Sequence, residues 1–261
     1  MTPQRARLLA RLGLAPLWRL RQPADDGAEG EGDVEPAQAP AVVTGSTGAL
    51  LLPANERAEP DQPALPARQD AGGADWEALE LEIRGCAACP LHRQRTQAVP
   101  GIGDRHPSWL VVGEGPGAEE DRRGEPFVGP AGQLLDAMLA AVGLSRREGV
   151  FIANAVKCRP PGNRTPEADE IASCFPYLRR QVRLLAPRLI VAVGRPAAQA
   201  LLDQPVRIAD ARGRVFEFEG IPVIVTYHPA YLLRNPQDKG KAWEDLCRAR
   251  AMTHPPAGAS H

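Results

Sequence analysis

The residue types best suited to chemistry stand where apolar runs end. Trp109 to Val112 is a short apolar run that breaks at Gly113, and Glu114, Gly115, Pro116 and Gly117 follow. Such a turn lets a ligand approach the backbone with no Cβ in the way. Glu119, Glu120 and Asp121 then stand where a helix would begin, favourably placed against its dipole. A second run, Val150 to Ala153, ends at Asn154, and Val223 to Tyr227 leads into His228-Pro229. If these runs are parallel strands of one sheet, their ends share the edge at which open α/β sheets bind ligands. A glycine turn, an amide and an imidazole then converge on one cleft. Asn154 as a strand cap, or His228 as an ordinary polar residue before proline, is unremarkable alone; the three together point to a site.

Gly113, Gly115 and Ala118 also fit the dinucleotide pattern G-x-G-x-x-[GA], a weak signal by itself. Three carboxylates at the helix start would repel a pyrophosphate. The acid expected about 20 positions on, to hold a ribose, is replaced by Gln133 and Leu134. Nucleotide binding is therefore disfavoured.

The cysteines form a second constellation. Cys86 and Cys89 are a C-x2-C pair, Cys158 and Cys174 a second pair further on, and Cys247 stands alone. Without a secretory signal, disulfides are not expected. Two thiol pairs read as a metal site, and their spacing admits either zinc or an iron–sulfur cluster.

The elements needed to position these residues follow from periodicity. Trp76, Leu79 and Ile83 have helical spacing. Strands are expected at 109–113, 150–154 and 189–193, with a hairpin of 215–218 and 223–227 supplying the last core strand. Helices are expected at 132–143, 167–185, 196–202 and 237–250. Thr165 is expected to cap the second of these, and Pro176 to interrupt it. Strands alternating with helices imply a parallel sheet covered on both faces.

The chain has 261 residues and a net charge of −1, unevenly spread. Residues 1–22 carry five arginines, no acid and a leucine-rich face, and read as a basic helical segment that could take a protein partner. Residues 23–73 are acidic, rich in Ala, Pro and Gly and free of aromatics, which reads as a disordered linker. The folded domain is expected over 74–252, with a flexible tail over 253–261. That domain is close to neutral, so nucleic-acid binding would need a local patch rather than bulk charge. No apolar stretch suits a signal peptide or membrane span, so the expected setting is cytoplasmic, at a bacterial nucleoid, without membrane contact.

Four stretches, GEGPGAEED (113–121), PFVGPAG (126–132), NAVKCRPPGNRTP (154–166) and HPAYLLRNP (228–236), together with the four paired cysteines, resemble the family 4 uracil-DNA glycosylases. These are iron–sulfur enzymes that excise uracil from DNA. The resemblance covers about residues 75–250 and leaves out 1–73. It implies a three-layer α/β/α sandwich around a central four-stranded parallel sheet. It also implies a [4Fe-4S] cluster on Cys86, Cys89, Cys158 and Cys174, and base excision without strand cleavage. Uracil-containing DNA, single- or double-stranded, would be the partner of a monomeric enzyme.

Position by position, Phe127 resembles the aromatic that stacks on the flipped base. Asn154 resembles the amide that pairs with its N3–H and O4 edge. Glu120 resembles the residue that fills the space of the thymine methyl, and Gly115 the turn glycine that lets the backbone approach. His228 resembles the donor to uracil O2. Other uracil glycosylases orient water with an aspartate where Gly115 stands here; Glu114 is the nearest carboxylate. No histidine lies between Cys158 and Cys174, where a related group links covalently to DNA, so turnover is expected. Tyr231, Leu232 and Leu233 are expected to wedge into the space the base leaves, with Arg234 near phosphate. The residues alone still admit a nucleotide-dependent redox protein or a DNA-binding module without catalysis.

Overall fold

The computed structural model describes residues 73–253. The expectations for the basic segment and the linker lie outside the described residues. A first helix, α1 (Gly73–Gly85), leads through a 3-10 turn to a short strand β1 (Ile102–Gly103). Then follow β2 (Trp109–Gly113), α2 (Ala118–Arg123), α3 (Pro130–Ala141), β3 (Val150–Asn154), α4 (Ala168–Leu185) and β4 (Leu189–Val193). The chain closes with α5 (Arg195–Leu202), α6 (Ile208–Ala211), β5 (Val215–Phe218), β6 (Ile221–Thr226), α7 (Pro229–Arg234) and α8 (Lys239–Thr253).

The strands form one sheet in the order β1-β3-β2-β4-β6-β5. Its middle, β3-β2-β4-β6, is parallel throughout, the four-stranded core that was expected. Two antiparallel edge strands make the full sheet six-stranded: β1 pairs with β3, and β5 pairs with β6 through a turn at Glu219-Gly220 in which both residues have positive φ.

Alternation along the strands divides the core into two layers. On one face Trp109, Val111, Ile152 and Val191 pack against Leu135 and Leu139 of α3, Leu232 of α7 and Leu246 of α8. On the other, Leu110, Val112, Phe151 and Ala192 meet Trp76 of α1, Leu178 and Val182 of α4 and Ala198 of α5. The architecture is the three-layer α/β/α sandwich. Among the described residues no helix is long and apolar enough to cross a membrane.

Three local expectations are corrected. Helix α4 runs unbroken through Pro176, because its buried face anchors both sides of the missing hydrogen bond, with Glu170 and Cys174 before the proline and Leu178, Val182 and Leu185 after it. Its N-cap is Glu167 rather than Thr165: the Glu170 carboxylate accepts the Glu167 N–H at 2.8 Å and is gripped by both terminal nitrogens of Arg164. Thr253 belongs to α8 rather than to a flexible tail, and its buried hydroxyl accepts the Trp109 indole N–H at 2.8 Å.

Candidate active site

The parallel register sets Gly113 beside Asn154 at the carboxyl ends of β2 and β3, and β6 delivers His228 two residues past its own end. These ends open into a cleft of about 500 Å³ that also receives Glu114, Glu120 and Phe127. Asn154 is only 1% exposed, yet neither its Oδ1 nor its Nδ2 has a hydrogen-bond partner among the described residues. A buried amide left unpaired costs about 1–3 kcal/mol per missing partner, which is tolerated where a ligand supplies the partners.

Gly113 makes room for this arrangement. A Cβ there would stand 2.4 Å from Asn154 Oδ1 and 2.6 Å from Phe127 Cζ. Gly115 serves packing as well as access, since its Cβ would meet Val156 Cγ2 at 2.8 Å. Phe127 is buried, has φ +54° and lays its ring against that of His228, with centroids 5.5 Å apart and planes 29° apart. Glu120 is not a solvated acid at a helix start. Its Oε1 accepts the Val128 and Gly129 N–H groups at 2.9 and 3.2 Å, and its Oε2 accepts the Gly117 N–H at 3.1 Å.

His228 caps α7, its Nδ1 accepting the Ala230 N–H at 3.1 Å. That bond assigns the ring proton to Nε2. Burial, assisted by the nearby Arg234 charge, pushes its pKa down to about 4, so the ring is a neutral donor at physiological pH. Burial raises the carboxyl of Glu114, opposed by a hydrogen bond with Thr165 and by the charge of Arg195.

The four paired cysteines line a separate pocket. Cys158 and Cys174 are buried, Cys86 and Cys89 half-buried. Arg95 donates to Cys158 Sγ at 2.9 Å, the Lys157 N–H to Cys174 Sγ at 3.2 Å and the Ala88 N–H to Cys86 Sγ at 3.5 Å. Burial pushes the Cys174 thiol up to about 11, so thiolates here call for a cationic centre to hold them. Among the described residues no three His, Cys, Asp or Glu close on a point suited to a single metal ion. Lys157 links the two sites: its Nζ donates to the Asn154 main-chain oxygen at 2.7 Å and to Gln181 Oε1 at 2.6 Å.

Residues 100–247 match the Uracil DNA glycosylase superfamily. A type-4 uracil-DNA glycosylase of Pyrobaculum aerophilum is 44% identical over 180 residues, 66% of this chain and 91% of that protein. Those of Archaeoglobus fulgidus and Thermotoga maritima are 46% identical over 164 residues and 44% over 180, covering 60% and 67% of this chain and 82% and 93% of theirs. The chain is a type-4 member of the uracil-DNA glycosylase superfamily.

In this glycosylase the structure brings Glu114, Gly115, Glu120, Phe127, Asn154 and His228 to one cleft, with Tyr231 and Arg234 at its rim. Leu232 and Leu233 do not line that cleft. Leu232 is 1% exposed and part of the core between α3 and α8, so it is not the surface wedge that was expected; Leu233 is 44% exposed and lines a separate groove with Pro130, Gln133 and Ala137 of α3. The short α7 turns one leucine inward and the next outward. Tyr231 is held by stacking on Tyr227 and by donating its hydroxyl to Asp238 Oδ2 at 2.7 Å. Sequence reasoning missed Gly113 as the space for Asn154, and it missed Arg146, whose guanidinium donates to the carbonyls of Pro126 and Phe127. A φ above zero at Phe127 would have flagged the latter, but nothing in the residue type announces it.

Proposed function

We propose a division of labour among the cleft residues in the excision of uracil from DNA, the base-excision repair reaction of this family. The observation that carries it is the buried Asn154 amide with both polar atoms unpaired. Uracil presents an N3–H donor beside an O4 acceptor, which an amide answers with its oxygen and its NH2. Uracil reaches so deep a group only when flipped out of the stack. Phe127 then stacks on the base, and Glu120, pinned by three N–H groups, walls the position where thymine carries its methyl.

As the N-glycosidic bond breaks, its electron pair passes to the base and charge gathers on O2. The neutral His228 donates Nε2–H to that oxygen, a preorganised donor that costs no reorganisation during the reaction. The sugar is left electron-poor and is captured by water, with Glu114 as the carboxylate that orients it; the proton the water sheds balances the one the uracil anion takes up as it leaves. Tyr231 and Leu233 flank the vacated stack, and Arg234 meets phosphate.

The cysteine pocket fits an iron–sulfur cluster. Its donors are four thiols, and N–H groups already point at three of the sulfurs. Cys86, Cys89, Cys158 and Cys174 would hold a [4Fe-4S] cluster, which when bound cross-links α4 to the segments before β1 and after β3.

The test is release of uracil from a labelled single-stranded oligonucleotide by Asn154→Asp. A carboxylate places an oxygen against O4, and a buried hydrogen-bonding site mismatched in this way can cost about 10⁴-fold. Excision at near the native rate would show that Asn154 does not read the base.

A further inference from the structure

Phe127 holds a backbone conformation that side-chain-bearing residues avoid, φ +54°. Such a residue costs of order 1–3 kcal/mol and persists only where its surroundings over-determine it. Here they do so from both sides. Arg146 Nη1 donates to the Pro126 oxygen at 3.2 Å and Nη2 to the Phe127 oxygen at 2.6 Å. Glu120 accepts the next two amides, Val128 and Gly129. A cation thus grips the carbonyls and an anion the N–H groups of one four-residue loop. Gly132 lets α3 come up against it, since a Cβ there would lie 1.7 Å from the Phe127 oxygen.

Arg146 does not line the cleft. It stands on the turn between α3 and β3, its side chain 17% exposed, with Nε donating to Asp136 Oδ1 of α3 at 2.8 Å. That third bond orients the guanidinium fork toward the two carbonyls. A lysine ammonium is a point charge and cannot reach the three acceptors in this planar geometry.

We propose that Arg146 is a positioning residue for uracil excision. It fixes the Phe127–Gly129 loop so that the Phe127 ring faces His228 and Glu120 keeps its wall against the 5-position of the base. The proposal rests on the pocket reading above, and no part of the resemblance assigns this arginine a role.

The experiment is a double-mutant cycle in the full-length protein. Arg146→Gln, Phe127→Ala and the double variant are compared by single-turnover uracil release from a single-stranded oligonucleotide, with melting temperatures measured in parallel. Residues that act through one another show coupling, so Arg146→Gln should slow the native enzyme about tenfold or more and the Phe127→Ala enzyme less than about threefold. If Arg146→Gln does not fold, Arg146→Lys replaces it in the same cycle. A second readout is the ratio of excision rates for uracil over 5-hydroxymethyluracil, which should fall in Arg146→Lys as the wall loosens. Equal losses in both backgrounds, or an unchanged rate and ratio, would overturn the proposal. A Phe127→Ala enzyme as fast as the native one would instead overturn the pocket reading on which it rests.

Discussion

A Cβ on residue 113 would stand 2.4 Å from Asn154 Oδ1, so the glycine that ends β2 is what allows the neighbouring strand to present its amide to the cleft. The same Cβ would meet the Phe127 ring at 2.6 Å. Both contacts are far below van der Waals distance, and both partners belong to the proposed base-binding set.

Gly113→Ala should therefore displace the amide and the ring together. A misplacement of about 1 Å in a reacting geometry can cost about 10²-fold in rate, and overpacking costs about 1–3 kcal/mol of stability. Single-turnover excision and thermal unfolding of the variant check the two expectations separately. A fully active Gly113→Ala enzyme would mean that Asn154 and Phe127 move freely.

His228 gives a pH expectation. Burial lowers its pKa from the ordinary 6.5 to about 4, so on acidification the unfolded chain takes up the proton first. Its contribution to stability is complete above about pH 6.5 and is lost as pH falls from there toward 4. Excision should likewise show no histidine step near neutrality. A ring titration followed by NMR, set beside a pH–rate profile, tests both; a midpoint for His228 near 6.5 would contradict the neutral donor.

The four parallel strands and their polar ends were legible in the sequence because each is a short β-branched run broken by Gly, Asn or His-Pro. Strand β1 was not, since two residues, Ile102 and Gly103, carry no period. The same holds for the continuity of α4 through Pro176, which depends on a buried face set by the sheet. Residue types at the strand ends named Asn154 and His228, and the family resemblance named Phe127, but the unpaired state of the buried amide and the ring proton on Nε2 depend on what the fold packs around them. Arg146 was invisible because its partners at 126, 127 and 136 lie 10 to 20 positions away along the chain.

The cysteine pocket predicts a brown protein with broad visible absorption and bound iron and sulfide. Cys174→Ala removes a thiol on α4 that receives the Lys157 N–H, and should lower folded yield and thermal stability more than it alters the rate of the fraction that folds. Cys247→Ala, in α8 outside the pocket, should leave colour and yield as they are. Elemental analysis decides the nature of the metal: zinc in a colourless, fully active protein would refute the cluster.

Leu232 and Leu233 are adjacent in sequence and opposite in environment, so their alanine variants should differ in kind. Leu232 is packed with Leu134, Trp243 and Leu246, and truncating a buried leucine costs about 2–5 kcal/mol. Leu232→Ala should lower the melting temperature and slow single- and double-stranded substrates alike. Leu233 is exposed on α7, so Leu233→Ala should leave the melting temperature nearly unchanged. On a duplex, uracil must be unpaired and unstacked before it reaches Asn154, and a side chain that fills the gap offsets part of that cost. On a single strand there is no partner base to replace. Excision by Leu233→Ala should then fall several-fold more on duplex than on single-stranded DNA, measured with the same labelled strand in both forms. Equal losses on the two substrates would remove Leu233 from the wedge and leave Tyr231 as the remaining residue of that rim to test.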